Sequence, residues 1–271
     1  LRPVVPVRPL LNRRHPLAGR IVACFVPDKA GMIDLASDLR LLPINSATTV
    51  PSPFGLATNC VGTTGTTSRG VRATAPGYLR LSFPLTLIWI GIPKGTPDNN
   101  SNLASINFGA TDINPFVCWG MNITSSGNVQ AIGNTAGSLF TLASTFNLNS
   151  NAGKLTVIST RFRSGAIQIR ANGSVVATGT TALTTPNYSS SSPIEVGTYQ
   201  GVMTRNANHW TLAVIAINGP LSDSWETSIH RNPGQLFTQA TLFSVGKASA
   251  ASWYRWGRLR DEQIMSGGIN G

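Results

Sequence analysis

The chain predicts an all-β protein, a two-sheet antiparallel β-sandwich of jelly-roll type with one short helix. Three observations carry this. Short runs rich in Val, Ile and Thr recur along its length, turn signals separate them about every ten residues, and helical patterning is confined to one stretch around residue 225. The 271 residues suffice for one large β core with appendages. Charged residues make up only 11%, against the usual quarter; Ser, Thr, Asn and Gly take their place, which suits polar β surfaces and long loops.

Residues 1–20 stand apart. They hold Arg2, Arg8, Arg13, Arg14 and Arg20, four prolines and no acid. Proline fixes φ and lacks a donor, so this stretch reads as an extended basic arm that anchors on an acidic neighbour. The sandwich is expected over 21–237 and a C-terminal extension over 238–271. Ile21–Val26 reads as a buried strand, Pro27–Gly31 as a turn, and Ile33–Leu35 as a brief extended piece. Residues 43–77 are rich in Thr, Ser, Gly and Pro and read as loops with one or two short strands; Leu79–Leu81 opens the next β segment. Leu85–Ile92 is almost uniformly apolar, which fits a strand buried on both faces. Strands follow at Leu103–Phe108, Phe116–Ile123, Val129–Ile132 and Leu155–Phe162. Asn172-Gly173 is the sharpest turn signal, since both residues accept the positive φ of a type I′ hairpin turn. Trp210–Ile217 is apolar on both alternating faces and reads as a central strand. Ser222–Arg231 is the helix: Ser222 caps it, Asp223 and Glu226 favour its start, Arg231 its end, and Pro233-Gly234 stop it. Trp225 and Ile229, four apart, form the face expected to pack on a sheet.

Little chemistry is spelled out. A glycoside hydrolase needs two carboxyl groups flanking the bond. The three Glu (Glu195, Glu226, Glu262) are scattered, with no Asp two or four residues from Glu195, so the protein is expected not to be an enzyme. No GxSxG elbow occurs; His15, His209 and His230 read as structural or exposed. Cys24, Cys60 and Cys118, without a CxxC, read as buried thiols. No metal or other cofactor is expected; the best calcium candidate, the loops Asp98–Asn102 and Asp112–Asn114, reads as ordinary turn chemistry. The net charge of +11 favours an acidic partner surface. With the arginines clustered in a proline-rich arm and no nucleic-acid module in view, nucleic acid is not the expected partner. No stretch is long and apolar enough for a membrane helix, and the N-terminus shows no apolar leader core. Trp89, Trp119 and Trp210 lie within strands and read as core. Trp253, Tyr254, Arg255, Trp256 and Arg258 form an aromatic–Arg cluster suited to an interface with a neighbouring subunit or a glycan.

Two stretches have a recognisable form. One is Asn12-Arg13-Arg14-His15-Pro16-Leu17-Ala18-Gly19-Arg20-Ile21-Val22; the other runs from Leu221-Ser222-Asp223 to Asn232-Pro233-Gly234-Gln235-Leu236-Phe237. Together with Asp34-Leu35, Pro84–Leu87 and the Asn172-Gly173 turn, they resemble a family of phage and prophage proteins with a laminin-G-like (concanavalin A-like) jelly roll. That family opens N-x-x-H-P-L-A-x-G-L-V-G-x-W and closes LSDAEIAALYxNPWQLF. Here Phe25 stands in place of the opening Trp, and Ala36–Arg40 in place of a Gly-Asn-Gly-rich segment. The resemblance implies a two-sheet sandwich and a non-enzymatic place on the virion surface, as a capsid decoration or other particle-surface protein assembled in the host cytoplasm. Its partners would be virion proteins and further copies of itself. The competing reading is a carbohydrate-binding host-recognition module of a tail or fibre, with a surface glycan as ligand.

Overall fold

The computed structural model describes residues 10–29, 31–61, 69–74, 76–79, 81, 83–95, 101–108, 117–135, 138–181, 193–198 and 207–238. In chain order its strands are β1 Ile21–Asp28, β2 Gly31–Asp34, β3 Arg40–Ile44, β4 Thr48–Ser52, β5 Gly55–Asn59, β6 Gly70–Thr74, β7 Leu85–Pro93 and β8 Ser101–Phe108. They continue as β9 Val117–Ile123, β10 Asn128–Thr135, β11 Ser138–Asn147, β12 Thr156–Arg163, β13 Ala166–Ala171, β14 Ser174–Gly179, β15 Pro193–Val196 and β16 His209–Asn218. The helix α1 spans Asp223–Arg231.

Two antiparallel sheets form the sandwich. The first runs β2-β1-β16-β7-β12-β13-β14 and the second β11-β10-β9-β8-β15-β6-β3. Strand β3 belongs to both: Arg40 and Leu41 pair with β2, while Leu42–Ile44 pair with β6. The β4–β5 ribbon docks on β16 through Thr58 and Asn59.

The apolar runs of β7 and β16 are explained by what covers the first sheet. Alternate residues of a strand face opposite ways. Leu85, Leu87, Trp89, Val214 and Ala216 enter the core between the sheets, with Trp119, Met121, Val129 and Val196 from the second sheet. Ile88, Ile90, Ile215 and Ile217 enter a second core on the outer side, closed by Leu11, Leu17, Ile229, Leu236 and Phe237. Both faces are therefore dry, as the sequence predicts. The two buried indoles keep their hydrogen bonds: Trp89 Nε1 donates to Thr211 Oγ1 at 3.0 Å and Trp119 Nε1 to the Leu81 carbonyl at 2.9 Å. Gly91 is required on β7, because an added Cβ would lie 2.2 Å from the Trp89 ring and 2.4 Å from the Trp210 carbonyl.

The Asn172-Gly173 turn joins β13 to β14 with φ of 47° and 90°, the positive pair a type I′ turn needs. The helix starts as expected, with the Ser222 hydroxyl accepting from the Trp225 N–H.

The structure departs from the sequence reading in several places. Residues 40–74 hold four strands, and Ser138–Asn147 adds β11, which the sequence reading does not foresee. Strands β4, β5 and β11 lie at the margins of the sheets and are rich in Thr and Ser, while β3 and β6 are five-residue runs, too short for their alternation to stand out. Leu79 ends a short 3₁₀ turn, Gly77–Leu79, and is not part of a strand. Of the arm expected over 1–20, residues 1–9 lie outside the described residues, and the rest is not free of the body. Residues 10–20 lie on the sandwich, with Leu11 and Leu17 buried in the outer core and Arg20 hydrogen-bonded to the carbonyls of Asn218 and Pro220. Leu11 forms an isolated antiparallel β-bridge with Phe237, a backbone pairing that holds this segment down.

Candidate functional site

The most reactive-looking cluster lies under α1. The buried face of the helix presents Glu226, Ile229 and His230 to β12 and β13, whereas Trp225 is half-buried and meets the His15 ring edge-on at 5.3 Å. Ser159, His230 and Glu226 are buried together, a set resembling a nucleophile with its base and acid. The hydrogen bonds run the wrong way for that. The Gly173 N–H donates to His230 Nδ1 at 3.0 Å, so the proton of the neutral ring sits on Nε2. Nε2 then donates to Ser159 Oγ at 2.7 Å, and the Ser159 hydroxyl donates to the Glu226 carboxylate. A general base must accept the nucleophile's proton; here the imidazole cannot. Burial, with a smaller contribution from Arg170, holds the His230 pKa down to about 3, which keeps the ring neutral.

Arginines complete this cluster. Arg161 donates to the Leu221 carbonyl at 2.6 Å and to Asp223 at 2.7 Å. Glu226 Oε2 lies 3.7 Å from Arg161 and 3.5 Å from Arg170. The Arg161 hydrogen bond and charge hold the exposed Asp223 carboxyl below its usual range, so it stays ionised and is poorly suited to act as a general acid. The cluster ties the helix to the sheet.

A second place is the seam where the chain's two distinctive stretches meet. Asn12 Nδ2 donates to the Gln235 carbonyl at 3.1 Å, the Asn12 N–H donates to the Leu236 carbonyl at 2.9 Å, and His15 Nε2 lies 3.4 Å from Gln235 Oε1. Beside this clasp opens a largely apolar groove of about 1020 Å³, whose polar lining includes Arg13, Arg14, His15 and Asp38. The Arg13 and Arg14 side chains are exposed. On the same side Tyr78, 51% exposed, donates its hydroxyl to Ser37, the residue before Asp38. The seam thus combines two exposed guanidinium groups with a concave, largely apolar wall, and the Tyr78 ring stands outside its lining, tied to Ser37.

The expected interaction residues distribute as follows. Arg13 and Arg14 line the groove, while Arg20 is spent on backbone carbonyls. Arg2, Arg8, Trp253, Tyr254, Arg255, Trp256 and Arg258 lie outside the described residues, as do Asp98 and Asp112. No group of three or more metal-ligating side chains occurs among the described residues, and no described helix is long and apolar enough to cross a membrane. Cys24 and Cys60 are buried free thiols. Burial and the Asp34 charge push the Cys24 thiol up; burial pushes Cys60 up to about 12 against a hydrogen bond with Thr211. Neither is a ready nucleophile. Trp210 is half-buried beneath Lys94, whose ammonium stands 3.4 Å from the ring centroid.

No family model and no curated protein matches this chain. Its fold is nonetheless a known one. The binding domain of Paraclostridial Mosquitocidal Protein 1 aligns with a TM-score of 0.58 at 12% identity, over 80% of this chain and 53% of that one. A botulinum neurotoxin type C structure, described as dependent on two ganglioside molecules for cell entry, aligns at 0.58 and 15% identity over 79% and 51%. Trypanosoma rangeli sialidase in complex with sialic acid aligns at 0.59 and 14% over 81% and 34%. The chain therefore spans about half of the two toxin chains and about a third of the sialidase. At such identities the likeness is one of fold, and that fold is the β-sandwich.

Proposed function

We propose that this protein is a non-catalytic carbohydrate-binding sandwich that serves on a bacteriophage particle as a host-recognition module. The seam groove carries the reading: its apolar wall offers a surface to a sugar's C–H groups, its two exposed arginines offer forked donors, and the exposed Tyr78 ring, bonded to Ser37, is a further stacking face outside the lining. Neighbours of the same fold whose descriptions name gangliosides and sialic acid support it. The wiring of Ser159 and His230 supports the absence of catalysis. The phage setting rests on the sequence resemblance, whose opening and closing motifs clasp each other at Asn12 and Gln235.

The test is an array of neutral, sialylated and bacterial polysaccharides probed with the wild-type chain, Tyr78→Ala and the double variant Arg13→Ala/Arg14→Ala. Binding to a defined set of glycans, weakened at least about tenfold by either variant, is the expected result, a loss of about 1.4 kcal/mol or more. No glycan binding, together with stoichiometric recovery on purified particle shells, would favour capsid decoration instead.

A further inference from the structure

The outer face of the second sheet carries an arginine that the seam groove does not use. Leu42 on β3, Arg72 on β6 and Glu195 on β15 are directly opposite one another across neighbouring strands, so their side chains share one face of the sheet. Glu195 is fully buried, and its Oε1 lies 3.2 Å from Arg72 Nε. A buried carboxylate on the neighbouring strand thus holds the guanidinium by its Nε edge. The side chain is still 36% exposed, and its terminal nitrogens have no hydrogen-bond partner among the described residues.

Around this arginine is a hollow of about 460 Å³ walled by Leu42, Pro43, Ile44, Thr74 and Pro193. That volume suits a small ligand. Leu42 is 59% exposed, unusual for a leucine on a sheet face. Pro43 has no N–H, so this edge of the sheet is poorly suited to receive another strand.

We infer that Arg72 anchors a carboxylate-bearing sugar, distinct from any ligand of the seam groove. The sugar in this assignment rests on the glycan reading above; the carboxylate rests on Arg72 alone. Glu195 already compensates the guanidinium's charge, so the ligand is recognised by geometry: the planar fork of terminal nitrogens matches the two oxygens of a carboxylate. Fixing the fork beforehand lowers the ordering cost of binding. Leu42 and Ile44 offer an apolar wall to the sugar ring, and Thr74 adds a hydroxyl.

The experiment is NMR titration of the full chain with D-glucuronate, D-glucose and D-glucose 6-sulfate. Glucuronate is expected to bind saturably, and glucose at least tenfold more weakly. Arg72→Gln should weaken glucuronate binding at least tenfold, whereas Arg13→Ala/Arg14→Ala should leave it unchanged. Because Arg72→Gln removes the charge facing the buried Glu195, a second variant, Leu42→Glu, places a repelling carboxylate at an exposed position without touching the core; it too should abolish binding. Equal affinity for glucose, equal affinity for the sulfate, or loss of binding in the Arg13/Arg14 variant would each overturn the assignment. Glucuronate binding that depends on Arg72, in a protein that recognises nothing on the array through Tyr78, would uphold this site and sink the seam reading.

Discussion

His230 is the residue on which the helix junction turns. Its ring accepts from Gly173 and donates to Ser159, a pair of bonds that only the neutral form can make. The folded pKa of about 3 lies below the roughly 6.5 of an unfolded histidine. Between those values the unfolded chain binds the extra proton, so stability rises with pH across that window and is lost as pH falls through it. Lowering the pH from 6.5 to 4.5 should therefore cost roughly 2 kcal/mol from this group alone. Asp223, whose pKa is depressed by Arg161, loses its contribution only below the ordinary carboxylate range, near pH 4. Urea melts at pH 6.5 and 4.5 should show the loss in the wild type and a flatter profile in His230→Gln. An equal slope in both would mean that His230 is not what titrates. The sequence places Glu226 and His230 one turn apart on the expected helix, but Ser159 lies on a distant strand, and only the packing of α1 on β12 brings it to them.

At the scale of elements, legibility followed burial and local turn chemistry. Strands β7 and β16 stand out because both faces of their sheet are covered, which makes them continuously apolar. The cap of α1 and the β13–β14 turn are readable because Ser222, Asn172 and Gly173 act on their own backbone. Strand β11 was hidden: it pairs on one side only, with β10, and Thr141, Ala143 and Thr145 point to solvent. The pairing of Arg72 with Glu195 was hidden for another reason, since cross-strand register between distant segments leaves no local trace. The hairpin turn gives the cleanest stability test. Gly173 has φ of 90° and open space around the position of a Cβ, so Gly173→Ala meets no clash and carries only the conformational penalty. A loss of about 1–2 kcal/mol is expected from chemical denaturation. A neutral result would show that the turn relaxes to another type.

For the whole molecule, the question is where the fold begins. The first 20 residues hold five arginines, no acid and four prolines, which made them look uniformly like an arm. Charge and proline content report on exposure, and they concealed two leucines that are not exposed. Leu11 and Leu17 are 6% and 3% accessible and help close the outer core against Phe237 and Leu236. The Asn12 clasp then ties this segment to the stretch after α1, so the outer layer is sewn from both ends of the described chain. Two truncations separate arm from body. Removing residues 1–9 keeps every described core residue and supplies the reference urea midpoint. Removing residues 1–17 should cost about 3–6 kcal/mol, at about 1.5–3 kcal/mol for each buried leucine, and should expose the outer face of β16. If both truncations left stability unchanged, the segment from Leu10 to Leu17 would be an appendage after all, and the groove beside it would have no fixed wall on which to bind a sugar.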